Sequence, residues 1–480
     1  MKYMIIGGKH TPASDGAVFQ DLNPATLELI DEIPMATQED VERALNFAQL
    51  GKEEWAATPI WKRIEIIRNF IDIYSERREE LAQMLTAELG KPIKHSRIEL
   101  YGSIEIMSNF CDIARTFGGE TFVSNNYSWV NSDDMYFTIR EPLGVIVCVV
   151  PFNFPVELYF QKVIPALLMG NAVIVKPSSD TPIVDIMITE WLLEAGVPAN
   201  VLQIVTGSGS KMGRWLAASP KIDGFTLTGS TPVGIATAEA CAGHLTHVEL
   251  ELGGNDACIA LDDCDIDDAV NEAIAGRNYN SGQVCCSSKR FLVHNSIKEE
   301  FTRKLVDKVS AIVYGDPTKE TTECGPLVNK KAVKENLEHI QRAIDQGAVL
   351  LCGGRSECDG RYFVPTVLGD VTPDMDIAKD TEVFAPVWPI IGFDTDEEAV
   401  KITNQTMYGL SCGINTKNMP RALRMAKKIN TGGVALNGHG SFRTPELPFG
   451  GHKMTGIGQE GGKHTLESMS VLKTLYIRNK

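Results

Sequence analysis

From Val145 to Leu252 the chain reads strand, helix, strand, helix, and this alternation constrains the fold more than any other feature. Val145 to Val150 is an unbroken apolar run, as expected of a parallel strand covered on both faces. A helix from about Val156 to Leu168 follows and stops at Gly170-Asn171. Ala172 to Val175 is the next strand and leads into Lys176-Pro177-Ser178-Ser179. A helix from Pro182 ends at Gly196, Val201 to Val205 is a third strand, and Phe225-Thr226-Leu227 a fourth. The fourth opens onto Gly229-Ser230-Thr231-Pro232-Val233-Gly234 and another helix. Repeats of this unit predict a doubly wound α/β sheet whose ligand sits at the carboxyl ends of the strands.

After Gly253-Gly254 a second α/β pattern begins, so two halves should face each other across a cleft. Its helices include Asp267 to Asn278, Lys298 to Val313, Glu335 to Gln346, Glu397 to Gln405 and Pro420 to Ile429. Strand-like pieces include Phe291 to Val293, Val349 to Leu351, Pro389 to Phe393 and Val434 to Leu436. Ahead of the first half lie short strands and turns. Thr37 then reads as an N-cap with Glu39 and Asp40 in the first turn. Helical patterns recur through Trp61 to Tyr74, Glu79 to Leu89 and Ser96 to about Arg115. Thr121 to Glu141 reads as a hairpin turning at Asn131-Ser132-Asp133-Asp134, and Val471 to Ile477 as a strand without an obvious partner.

Bulk composition narrows the function. At 480 residues the chain is long enough for roughly two to four domains. A net charge of −16 argues against nucleic acid or anionic membrane as the main partner. No apolar run approaches the roughly 20 residues of a membrane helix, and Met1-Lys2-Tyr3 does not open a signal peptide. Eleven cysteines without framework spacing predict reduced thiols in a cytoplasmic protein, and the absence of histidines at zinc-finger spacing predicts no metal site.

Four stretches carry chemistry. In Asn280-Ser281-Gly282-Gln283-Val284-Cys285-Cys286, Gly282 and Gln283 end a helical run, which puts the Cys285 thiol on a turn facing the cleft. A buried structural cysteine is the plainer reading of any one thiol. Glu251 ends the last strand of the first half and would look across at Cys285; on spacing alone, a solvated strand-end acid is the better reading. Asn153, in Pro151-Phe152-Asn153-Phe154-Pro155, is either an oxyanion donor at a strand end or an Asx turn. Gly229 and Ser230 open a helix whose N-terminus suits a pyrophosphate, or merely cap it.

Taken together these segments resemble the NAD(P)-dependent aldehyde dehydrogenase superfamily, of the hydrolytic, non-CoA-acylating type. GQVC resembles the nucleophile motif, ELGG at Glu251 the general base, and PFNFP the oxyanion segment, with Phe152 where tryptophan is usual. Lys176 in KPS matches the lysine that holds the adenosine ribose. Glu382 and Phe384 match the EIFGP segment at the nicotinamide, with Ala385 where glycine is usual. Tyr408-Gly409-Leu410, Pro448 to Lys453 and Glu460, a second acid behind the base, match in order.

The resemblance implies an α/β aldehyde dehydrogenase fold. Its Rossmann-like cofactor domain would take residues 1–120 and 142–252, and its catalytic domain 253–440. A small β arm at 121–141 and 465–480 would join a homodimer or homotetramer. It implies aldehyde oxidation through a Cys285 thiohemiacetal and thioester, hydrolysed by Glu251-activated water. NAD or NADP would serve, with Ser179 in place of the usual ribose-binding glutamate favouring acceptance of NADP. Gln161 and Arg443 match positions of the family's substrate tunnel and point to a small polar or anionic aldehyde, unless Arg443 is a solvated surface charge. Related enzymes that read a semialdehyde carboxylate often carry arginine at Gln161, so succinic semialdehyde is not favoured. A CoA-acylating relative would lack Glu251. A cysteine hydrolase or acyl transferase would need His244 or His247 near the thiol and leaves the cofactor segments unexplained.

Overall fold

The apolar run at Val145 takes the place its sequence demands, inside an eight-stranded sheet with Val145, Ile146, Val147 and Cys148 all buried. The computed structural model of the chain describes residues 2–123, 127–131 and 133–479. Across this sheet the order is Lys9–Thr11, Met4–Ile6, Leu202–Ile204, Ala172–Lys176, Val145–Val149, Gly224–Thr228, His247–Glu251 and Gly456–Ile457. The five strands from Leu202–Ile204 to His247–Glu251 are parallel, and the edges are antiparallel. After Val145–Val149 the chain builds outward on one side, then returns to build on the other. The carboxyl end of Val145–Val149 is therefore the switch point where such sheets hold ligands. Asn153, Lys176, Gly229 and Glu251 all follow or end strands at that edge.

The chain then passes from Glu251 to Asp256 and starts a seven-stranded sheet. Its order is Val349–Cys352, Thr366–Val371, Val387–Phe393, Ser288–His294, Asp256–Ala260, Cys412–Asn415 and Ala435–Leu436, parallel except for the first strand. Here it is the amino ends that meet the cleft. Cys285 precedes Ser288–His294, and Glu382 precedes Val387–Phe393. Separate apolar cores fill the two sheets' flanks.

Some boundaries differ from the sequence expectation. Ile60–Leu89 is one helix of 30 residues, not two, because the polar run Ser75 to Arg78 interrupts the apolar stripe without breaking the backbone. Ser75 Oγ simply bonds back to Ile71 O at 2.7 Å. Gly209–Ala217 is a helix that the sequence reading passed over. The helix expected from Glu335 starts at Lys330, capped by Asn329 Oδ1 accepting from Ala332 N–H. Ser470–Ile477 has a partner after all: it pairs antiparallel with Met135–Pro142, which also pairs with Thr121–Phe122. Of the expected hairpin turn, Ser132 lies outside the described residues. Among the described residues no helix is long and apolar enough to cross a membrane.

Candidate active site

The Cys285 loop is built on unusual backbone. The helix Ile266–Asn278, capped by Asp265, gives way to three consecutive residues in the left-handed region: Asn280 (φ 49°), Ser281 (φ 55°) and Gly282 (φ 77°). Such conformations at non-glycine residues store strain and persist only where surrounding contacts hold them. Here Asn280 Nδ2 donates to Asn153 O at 2.9 Å, and Ser281 Oγ to Gly325 O at 3.1 Å. Gln283 Oε1 accepts from Val328 N–H at 2.9 Å. A side chain at Gly282 would start 2.5 Å from the Ala385 backbone, so glycine is required twice over. Buried Arg277 then ties the loop to the Glu382 segment, donating to Gly282 O, Ser287 Oγ and Val383 O.

Asn153 faces this loop from the first sheet. Its Nδ2 donates to Gln283 O at 3.0 Å, and its own carbonyl accepts from Lys91 Nζ at 2.8 Å. Lys91 is fully buried and ion-paired with Glu99, whose Oε1 accepts from the N–H groups of Val156 and Glu157 at the start of the helix Pro155–Leu168. Nothing in the local sequence pattern singles out Lys91, Glu99 or Arg277 for the site.

Two cavities meet at Cys285. A tunnel of about 410 Å³ is lined by Glu251, Gln161, Arg443, Glu460 and both thiols. A groove of about 630 Å³ is lined by Asn153, Lys176, Gly229, Ser230, Glu382 and Phe384, again with Cys285. In the tunnel, neither carboxylate oxygen of buried Glu251 has a hydrogen-bond partner, nor does either polar atom of Gln161, nor Nε and Nη2 of Arg443. Burial, then the charge of Glu460, pushes the Glu251 carboxyl well up, against Lys162. Arg443 lies 3.9 Å from Glu157 and 4.0 Å from Glu460, with its guanidinium over the Phe449 ring.

Behind this wall Lys162 pairs with Glu460 and donates to Thr226 Oγ1 at 3.1 Å. Thr226 faces Glu249 across the strand pair. Burial raises the Glu249 carboxyl to about 8, with Glu460 adding to it. Glu249 shares a strand face with Glu251, two residues on, and that period was a signal available in the sequence.

Cys285 is partly exposed and the adjacent Cys286 is buried. The neighbouring Cys286 thiol, with burial adding to it, pushes the Cys285 thiol well up, and Cys285 in turn pulls that of Cys286 down. Neither His244 nor His247 lines the tunnel or the groove. His247 begins the strand that Glu251 ends, at the opposite edge of the sheet.

The groove suits a dinucleotide. Ser230 caps the twelve-residue helix Thr231–Ala242 with no side-chain hydrogen bond, leaving backbone N–H groups open to a pyrophosphate. Lys176 is buried, which pulls its ammonium down to about 8. Ser178 and Asp180 line the groove beside it, and Asp180 Oδ1 accepts from Asn329 Nδ2 at 3.1 Å. Ser179 is not itself among the lining residues, its hydroxyl donating to Gly207 O at 3.1 Å. Phe384 packs edge-on against Phe152, 6.0 Å between centroids, and Glu382 Oε1 accepts from Gly254 N–H at 3.1 Å.

Comparison with known proteins agrees with this geometry. Residues 10–475 match the model of the aldehyde dehydrogenase family. Succinate-semialdehyde dehydrogenase from Burkholderia pseudomallei is 33% identical over 99% of this chain and 98% of its own, with a TM-score of 0.96. A 3,6-anhydro-L-galactose dehydrogenase in complex with NAP is 34% identical over 99% and 100%, with a TM-score of 0.95. Betaine aldehyde dehydrogenase from Staphylococcus aureus, solved with NAD+, is 31% identical over 99% and 97%, also at 0.95. The chain thus belongs to the aldehyde dehydrogenase family and is an NAD(P)-dependent oxidoreductase that oxidises aldehydes.

Proposed function

We propose that Cys285 is the nucleophile, Glu251 the general base and Asn153 the oxyanion donor of this reaction. The observation that carries the reading is that Cys285 lines both cavities, with Glu251 on the tunnel side and Asn153 on the groove side. The Cys285 thiolate adds to the aldehyde carbon, and the resulting oxyanion accepts from Asn153 Nδ2 and the Cys285 backbone N–H. Lys176, Gly229, Ser230, Glu382 and Phe384 hold the NAD(P), whose nicotinamide, when bound, accepts the hydride released as the thioester forms. Glu251 takes a proton from water, the hydroxide attacks the thioester carbon, and the C–S bond breaks to give the acid and the free thiol. The partnerless oxygens of Glu251 leave it free for that water.

The substrate we infer is a small aldehyde with a polar distal group in reach of Gln161 and Arg443, whose unpartnered polar atoms would otherwise remain desolvated. Glu105, Glu157 and Glu460 also line the tunnel, so a neutral hydroxylated aldehyde suits it better than a carboxylate. A panel at matched chain length tests this: a hydroxyaldehyde, succinic semialdehyde, betaine aldehyde and an alkyl aldehyde, ranked by kcat/KM. The hydroxyaldehyde should lead, and Arg443→Met should erase its advantage; a leading alkyl aldehyde overturns the reading.

We read the three-stranded sheet as an arm joining a homodimer or homotetramer. Its strand Ser470–Ile477 leaves Leu472 and Tyr476 more than half exposed. Light scattering on the intact protein and on a variant lacking the last ten residues tests this, and a monodisperse intact monomer rejects it. The eleven free thiols suit a cytoplasmic setting.

A further inference from the structure

Four residues beyond Cys285, the side chain of Lys289 is fully buried. Its Nζ donates to the carbonyl of Cys285 at 2.5 Å and pairs with Glu382 Oε1 at 3.4 Å. It also lies 5.9 Å from the centre of the Phe384 ring. One buried cation therefore touches both the loop that carries the thiol and the segment that lines the groove. Burying an ammonium is costly unless charge or hydrogen bonds compensate it, so an apolar residue would be the cheaper filling for this strand.

The charged groups around Lys289 come from each neighbouring element. Glu382 approaches from the segment before Val387–Phe393. Asp256, on the adjacent strand, uses Oδ1 to accept from Ser411 N–H at 3.0 Å, and its Oδ2 has no partner. Arg290 turns the other way, onto the carbonyls of Asn255, Ala378, Ile402 and Thr403. Arg443 and Cys286 both line the tunnel.

We propose that Lys289 is a positioning residue for the reaction: its buried ammonium is the counter-charge of the Cys285 thiolate, and Glu382 competes for it. The electrostatics run the same way, Lys289 lowering the Cys285 thiol and Glu382 raising it. Any ligand that draws Glu382 off, the cofactor ribose included, leaves more of the ammonium to the sulfur. The inference rests on the reading of Cys285 as the nucleophile, but its test does not use turnover.

That test is the rate of alkylation of Cys285 by iodoacetamide as a function of pH, followed by mass spectrometry of the peptide without aldehyde or cofactor. Lys289→Met should move the midpoint up by about one pH unit or more, and Lys289→Arg should keep it near that of the parent. Glu382→Gln should move it down. A Lys289→Met profile that overlays the parent's, or a Glu382→Gln midpoint that stays or rises, overturns the proposal. Should Lys289→Met fail to fold, the Glu382→Gln arm decides alone. Aldehyde turnover by Cys285→Ala would instead reject the nucleophile and leave these profiles as they are.

Discussion

Lys162, behind the tunnel wall, and Glu460, which lines it, form an ion pair with each side chain only 1% exposed, and the two act on Glu251 with opposite sign. Glu460 raises the Glu251 carboxyl and Lys162 lowers it. A general base works only when ionised, so deacylation should increase as pH rises through the Glu251 pKa. Lys162→Met removes the lowering charge, and the acid limb of the kcat profile should move to higher pH. Breaking a buried pair also costs about 3–5 kcal/mol of stability, so the profile is best read below the variant's melting range. An acid limb that does not move would disconnect Lys162 from the base.

Glu251→Gln separates acylation from deacylation. The amide keeps the size of the side chain and removes the base, so steady-state turnover should fall about 10²–10⁴-fold. One equivalent of reduced cofactor should still form, with an acyl adduct on Cys285 visible by intact-protein mass spectrometry. Undiminished turnover would take the base role away from Glu251.

How much of this was legible beforehand depended on the distance over which each signal acts. Cys285, Glu251 and Asn153 sit at element ends, where turn residues and strand runs mark them locally. Lys162, Arg277 and Lys289 carry no such mark. Each is a charged residue in a helix or strand that the 3.6- or 2-residue period would put on a polar face. Each is buried only because a distant segment brings a partner: Glu460 to Lys162 across 298 positions, Val383 O to Arg277 across 106. The long helix Ile60–Leu89 was split for the converse reason, since a polar turn in the stripe looks like a break when only local pattern is available.

Adjacent thiols give the next prediction. Cys285→Ala should abolish aldehyde oxidation and keep cofactor binding, because the groove residues are untouched. Cys286→Ala should retain substantial activity. Peroxide should inactivate the parent through a Cys285–Cys286 disulfide that dithiothreitol reverses, and the Cys286→Ala variant should lose that reversibility. Reversed phenotypes for the two alanine variants would move the nucleophile to Cys286.

Glu249 should leave a mark on stability. Its carboxyl rises from about 4.5 in the unfolded chain to about 8 in the fold, so between those values the folded state holds the extra proton. Stability from this group should therefore fall as pH rises through that window, by up to about 1.4 kcal/mol per pH unit. Glu249→Gln, which needs no proton, should flatten the decline in denaturation midpoint between pH 6 and pH 8. Parallel declines in parent and variant would mean that Glu249 is ionised already.

Cofactor choice turns on Ser179 and its neighbour. A glutamate at position 179 would set a carboxylate against a 2′-phosphate, whereas the serine present is uncharged and bonded to Gly207 O. Asp180 is the acid that does line the groove, but Asn329 Nδ2 holds one of its oxygens. Lys176 supplies a cation close by. NADP should therefore be accepted alongside NAD, and Ser179→Glu should depress kcat/KM for NADP about tenfold more than for NAD, the effect of roughly 1.4 kcal/mol of like-charge repulsion. Asn329→Ala, which frees the Asp180 carboxylate, should act in the same direction and less strongly. If both variants keep the parent's cofactor ratio, the 2′ position lies away from this turn and its selection belongs to other residues of the groove.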